Sequence, residues 1–204
     1  MRSLWLLNEM GVEFDLKVYS FGKALREPDY LAVHPLGRVP ALTDGDLTLY
    51  ETGAITQYLC EKFPQFGLGR PPGDSERAQW LQWLHYSETI GVHGAALTQQ
   101  HIVIWEDKDR SPLVMKLERR RLEKLLDHIN QTLADQPFLL PSGFSAVDIH
   151  IGYGVWVAQH FTPLEERPNV ATYLDRLMPR PAFQASLPPE DAPRIYRKAF
   201  YPLP

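Results

Sequence analysis

A chain of 204 residues, 44% hydrophobic and 23% charged, can bury one large core or two small ones and is too apolar to be disordered throughout. Its net charge of −4 gives no reason to expect a nucleic-acid partner, and its apolar stretches are broken well short of a bilayer span. The first residues lack the basic, apolar and small-residue order of a signal peptide, so no membrane partner is expected and the expected address is cytoplasmic.

The opening MRSLWLLNEMG is amphipathic: Leu4, Leu7 and Met10, with Trp5 beside them, recur at helical spacing, and Gly11 is a natural stop. EFDLKVYSF, residues 13–21, reads as a strand, with Phe14, Leu16 and Val18 on one face and Lys17 and Tyr19 on the other. VPALTDGDLTLYET carries a hairpin signal, with the turn expected at Asp44 and Gly45 and alternation through Leu47 and Leu49. A helix is expected from Thr52 to about residue 63, led by the Thr52 hydroxyl as a cap, with Ile55, Tyr58 and Leu59 at helical spacing. Cys60, the one cysteine, excludes an intrachain disulfide and fits a reducing compartment. It reads as core packing, because no CxxC partner, nearby histidine or helix N-terminus argues for an activated thiolate.

PQFGLGRPPGDSE is dense in Pro and Gly and is the linker candidate. The expected division is 1–64, a linker at 65–74, and 75–204. Beyond the linker the period is helical: one long helix from about Ser75 past His101, and a second from Pro112 to Leu133 with Leu122, Leu125, Leu126, Ile129 and Leu133 in one stripe. The basic run there reads as a solvated face, since Arg119 and Glu123 are four apart and can pair. A third helix opens at FSAVDIHIGYGVWVA, where Ser145 and Asp148 have capping-box spacing; its apolar run belongs at the centre of the second half. NVATYLDRLMPRPAF is a fourth helix that ends at its prolines, and the Pro-rich tail is expected to be irregular and packed back on the body.

Metal and nucleotide chemistry find no support. His85, His93 and His101 are eight apart and drift around a helix, and no HExxH, paired CxxC, calcium loop, GxSxG elbow, phosphate loop or dinucleotide fingerprint is present. The informative segment is HPLGRVPALTDGDLTLYETGAITQYL. With a cis Val39 to Pro40 bond at the start of a strand, the amide and carbonyl of Val39 point outward and can pair with an extended peptide. Twelve residues on from Val39, Glu51 and Thr52 open a helix whose free amides favour a carboxylate, while the Glu51 side chain suits an ammonium. Taken singly these read as a turn and a cap. Taken in this order they suit a ligand with peptide backbone at one end and an amino-acid zwitterion at the other.

GRVPAL followed by LYETGAITQYL, and then SAVDIHIGY in a helical half, resembles the cytosolic glutathione transferases over nearly the whole chain. The resemblance implies an α/β thioredoxin-like N-terminal domain at 1–64 that binds glutathione, followed by an all-α helical-bundle domain at 75–204. It matches Val39 to the residue that bonds the cysteinyl backbone of glutathione and Pro40 to the cis-proline. Glu51 with Thr52 match the acidic and hydroxyl pair at the γ-glutamyl end, threonine replacing the commoner serine. Arg38 matches a Lys or Gln position near the glycyl end, Arg26 is a weaker candidate for the glycyl carboxylate, and Asp148 matches a structural helix cap.

Family members begin with a strand and a loop ahead of the helix written here as RSLWLLNEMG, and that loop carries the Ser, Tyr or Cys that favours thiolate over thiol. Aligning helix on helix puts this strand and residue before Met1. Ser3 falls within the helix and is a poor substitute. A central strand is costly to lose, which favours an upstream start over a natural truncation. The resemblance implies a glutathione transferase that conjugates or reduces small electrophiles, with glutathione as co-substrate, the acceptor held between the domains near Tyr86 and Ile90, and a homodimeric assembly. The alternative is a non-catalytic module of the same shape serving in assembly or ligand carriage. A thiol-disulfide oxidoreductase is disfavoured by the lack of a second cysteine.

Overall fold

The computed structural model describes residues 1–20 and 22–204. Helix α1, Arg2–Met10, buries Trp5, Leu6, Leu7 and Met10 and is closed by Gly11 at φ 61° and ψ 24°, whose N–H donates to the Asn8 carbonyl. That left-handed residue is the expected stop, and glycine adopts it at no steric cost. A short 3₁₀ turn at Lys23–Arg26 leads to α2, Pro28–Val33. The hairpin follows, with β1 at Ala41–Asp44 and β2 at Leu47–Tyr50. Pairing is antiparallel, from Ala41 opposite Tyr50 to Asp44 opposite Leu47. The two loop residues are therefore Gly45 and Asp46, one position later than the spacing suggested, because the positive φ of 59° falls on Gly45 as the first loop residue.

The strand expected at residues 13–21 is not formed over its described part; Phe21 lies outside the described residues. Leu16 and Val18 are 61% and 80% exposed, and the only sheet among the described residues is the β1–β2 pair. Alternation marks a segment that fits a pleated surface, but a strand also needs a neighbouring backbone to complete its ladder. None of the described residues supplies one here.

Helix α3, Thr52–Lys62, buries Ile55, Thr56, Leu59 and Cys60. Its N-cap is Glu51 and no side chain caps it; Thr52 is already the first helical residue, so the expected cap is not made. Tyr58 on α3 donates to Asp44 Oδ2 at 2.7 Å and Lys62 pairs with the same carboxylate, which ties the helix to the far end of β1. Burial pushes the Cys60 thiol up to about 12, in keeping with a packing role.

The Pro- and Gly-rich segment is pinned by one carbonyl: Leu68 O accepts from the Trp80 indole at 3.1 Å and from the Ala146 N–H at 2.9 Å. Helix α4, Arg77–Thr98, runs into a π-helical turn at Gln99–Val103, so the rod does continue past His101. Helix α5, Pro112–Thr132, starts at an N-cap Ser111 with Pro at the first helical position and buries Met115, Leu122, Leu126 and Ile129; Arg119 and Glu123 pair at 2.9 Å.

Helix α6, Ala146–Ala158, is the centre of the bundle, with ten of its thirteen residues buried. The capping box forms: Asp148 Oδ2 accepts the Ser145 N–H at 2.8 Å, and Oδ1 accepts from the Leu139 N–H and the Tyr173 hydroxyl, both at 3.0 Å. A Cβ at Gly152 would sit 2.5 Å from Leu177 Cδ1 and 3.4 Å from the Trp5 ring, so a larger residue there would push the Leu177 side chain aside. The fourth helix ends at its prolines as expected: α7, Pro168–Leu177, stops just before Pro179, which lacks the N–H that would continue it, and a further short helix, α8 at Pro181–Gln184, starts on Pro181. The tail carries no regular structure from residue 187 onward but packs back: the Tyr201 N–H donates to the His160 carbonyl at 2.7 Å, and Tyr196 stacks on His160 at 4.6 Å.

Candidate functional site

The Val39–Pro40 peptide bond is cis, as the family resemblance implied. Val39 is 46% exposed, and among the described residues its N–H and C=O make no hydrogen bond. Both remain available to an extended chain lying alongside. The loop that presents them is held from beneath. Tyr30 on α2 donates its hydroxyl to the Arg38 carbonyl at 2.5 Å. His34, buried against Tyr50 at 4.9 Å between ring centroids, accepts the Leu36 N–H on Nδ1 at 3.2 Å, and its carbonyl accepts the Gly37 N–H at 2.8 Å. An imidazole that accepts on Nδ1 carries its proton on Nε2 in the neutral form. Gly37 has φ 57°, and a Cβ there would lie 2.4 Å from the Leu25 carbonyl. That close approach brings the Lys23–Arg26 turn against the loop, so exposed Arg26 and exposed Arg38 come from adjoining segments.

The hairpin register brings the second feature to the same end of the sheet. Ala41 faces Tyr50, so Pro40 and Val39, just before β1, adjoin Glu51 and Thr52, just after β2. The first bond of α3 runs from the Ile55 N–H to the Glu51 carbonyl at 3.0 Å. The N–H groups of Thr52, Gly53 and Ala54 have no acceptor among the described residues and give the helix mouth its positive end. Glu51 holds φ 72° and ψ 115°, a region that costs a non-glycine residue about 1–3 kcal/mol. Its carboxylate is exposed and makes no ion pair among the described residues. Such strain persists where the surroundings over-determine it, here between a paired β2 and a helix start.

Five residues singled out from the sequence, Arg38, Val39, Pro40, Glu51 and Thr52, thus lie at one end of one hairpin. Ser3 lies inside α1, with its Oγ buried and without a hydrogen-bond partner among the described residues. Sequence reasoning placed Gly37, with Pro35, in the turn before Pro40 but missed the supports Tyr30 and His34. The stretch EPDYLAVHPLG held the signal: an aromatic hydroxyl and an imidazole four apart share one helix face below a turn. No cluster of three or more metal-ligating side chains occurs among the described residues.

Residues 1–61 match the family model described as Glutathione S-transferase, N-terminal domain. Glutathione S-transferase F13 of Arabidopsis thaliana is 31% identical over 193 residues, an alignment covering 89% of this chain and 87% of that protein. Glutathione S-transferase GstA of Escherichia coli O157:H7 is 31% identical over 188 residues, covering 90% of each. The crystal structure of glutathione transferase URE2P6 from Phanerochaete chrysosporium, in complex with oxidized glutathione, superposes with a TM-score of 0.81 at 27% identity, covering 90% of this chain and 87% of that one.

Proposed function

The chain belongs to the glutathione S-transferase family, and from that premise we propose that it binds glutathione at the hairpin end and transfers its sulfur to small electrophiles. The fold is a thioredoxin-like unit with a small sheet followed by a helical unit, and the function is of glutathione transferase type. In this reading residues 1–64 hold glutathione, 65–74 link, and 75–204 supply the wall against which the acceptor lies.

One observation carries the reading: the unpaired main chain of Val39 and the open amides of α3 adjoin across the hairpin register. The Val39 N–H and C=O pair with the cysteinyl backbone of the tripeptide, as one strand pairs with another. The γ-glutamyl carboxylate accepts from the Thr52 and Gly53 amides and the Thr52 hydroxyl, while the Glu51 carboxylate holds the ammonium. Arg38, with Arg26 beside it, faces the glycyl carboxylate. The thiol then lies toward the opening of α1, where a helix N-terminus favours thiolate. The thiol gives its proton to solvent, the thiolate attacks the electrophilic carbon and the C–S bond forms; in substitution the leaving group departs with its bonding pair, and in addition the π pair shifts to the neighbouring atom, which takes a proton from solvent. Binding at both ends of the tripeptide fixes the sulfur's position, which lowers the entropic share of the barrier.

The same family reading gives a cytoplasmic homodimer. No helix among the described residues is long and apolar enough to cross a membrane. The test is calorimetric titration of the chain with glutathione, together with retention on immobilised glutathione. Binding that Glu51→Ala weakens tenfold or more supports the reading; no binding, or binding indifferent to Glu51→Ala, overturns it.

A further inference from the structure

Behind the α3 mouth, one buried polar cluster joins four helices. His150 on α6 is 1% exposed. Its Nε2 lies 2.6 Å from Thr56 Oγ1 on α3, and its Nδ1 lies 3.3 Å from Ser87 Oγ on α4 and 3.5 Å from Arg2 Nη1 on α1. Arg2 pairs with Glu88 of α4 and sits with Cζ 5.6 Å above the Tyr153 ring of α6. These are the charged and titratable groups facing the imidazole: Arg2 and Glu88, with Tyr153 beyond them.

Counting protons narrows the roles. Ser87 gives its one hydroxyl hydrogen to the Leu84 carbonyl at 2.6 Å, so toward His150 it can only accept. Arg2 can only donate, so Nδ1 faces an acceptor in Ser87 at 3.3 Å and a donor in Arg2 at 3.5 Å and is met by one of them in either tautomer. Nε2 shares a hydrogen with the Thr56 hydroxyl at 2.6 Å in both. Both ring nitrogens are satisfied in the neutral form, and burial together with the Arg2 charge keeps the ring in that form, well below the usual histidine range.

Thr56 stands one helical turn beyond Thr52, on the same face of α3. We propose that His150 is a positioning residue for glutathione, holding the mouth of α3 at a fixed placement relative to the opening of α1 through its bond to Thr56 and its contacts with Ser87 and Arg2. This rests on the glutathione reading above and adds to it what aligns the two ends of the site. The γ-glutamyl end is held at α3 and the sulfur at α1, so a shift of one helix against the other misplaces the thiol even where every contacting residue is intact.

The experiment uses the full chain and calorimetric titration with glutathione, alongside thermal unfolding and amide exchange at residues 55–58, the first bonded amides of α3. Thr56→Val keeps shape and removes the hydroxyl; Thr56→Ser keeps the hydroxyl; His150→Leu removes both ring partners. Expected are a five- to tenfold weaker Kd and faster exchange at 55–58 in Thr56→Val, recovery of both in Thr56→Ser, and less than additive loss when Thr56→Val is combined with His150→Leu. Should His150→Leu fail to fold, the pair of Thr56 variants decides alone. A Thr56→Val chain that melts earlier yet binds glutathione as tightly as the parent overturns the positioning role and leaves the binding reading standing. A parent chain that binds no glutathione overturns both.

Discussion

Tyr30 donates its phenolic hydrogen to the Arg38 carbonyl at 2.5 Å, so helix α2 governs the loop that presents Val39. Tyr30→Phe removes that bond and little else. The expected cost is about 0.5–1.5 kcal/mol in urea unfolding. Because the acceptor is the peptide next to Val39, affinity for glutathione should fall as well, by several fold in calorimetry. An unchanged affinity would show that the loop holds its place without α2.

Glu51 stands at φ 72° where glycine would stand freely. Glu51→Gly should therefore raise the unfolding midpoint, by about 1 kcal/mol of relieved strain offset in part by the entropy of the new glycine. The same change removes the carboxylate assigned to the ammonium. Stability and retention on immobilised glutathione should move in opposite directions, and a variant that lost both would refute the strain argument.

Asp148 answers three buried donors, from Ser145, Leu139 and Tyr173. Asp148→Ala leaves the Ser145 and Leu139 N–H groups without a partner in the middle of the bundle, while the Tyr173 hydroxyl keeps only the residue-148 carbonyl at 3.2 Å. The expected loss is on the order of 3 kcal/mol or more, enough to lower soluble yield. Asp148→Asn keeps one acceptor oxygen and should recover part of it, measured by denaturant midpoint.

His150 and Asp148 impose opposite acid dependences. His150 stays neutral when folded and takes a proton near pH 6.5 when unfolded, so the unfolded chain binds more protons below that pH and stability falls on acidification. Asp148, pushed up to about 6 by burial, holds its proton in the folded chain at pH values where the unfolded chain releases it, so its own contribution grows as pH falls from about 6 toward 4. Comparing the parent with His150→Gln separates the two. The stability gap between them should narrow from pH 7.5 to pH 5, and a constant gap would mean that the imidazole is charged when folded.

Much of the helical half is legible because its signals are local. The stripe on α5 and the capping box of α6 each lie within a few turns of chain, and burial follows from period alone. The cradle at Val39 and Glu51 is legible for a similar reason, since a short hairpin fixes which neighbours meet. Residues 13–20 mislead because alternation describes a surface and says nothing about the backbone that must complete it. The Thr52 cap misses by one position because Glu51 takes an unusual φ that no propensity scale anticipates. The His150 cluster is invisible in sequence, since Arg2, Thr56, Ser87 and His150 come from four distant segments and only tertiary packing assembles them.

The burial of Cys60 has a practical side. With the one native sulfhydryl sealed in the core, a fluorophore or spin probe on an engineered cysteine at an exposed position such as Val18 would report from a single known place, with no need to delete the natural one first. Paired probes on the two halves would then read the distance between them as ligand is added, directly in the otherwise unaltered molecule.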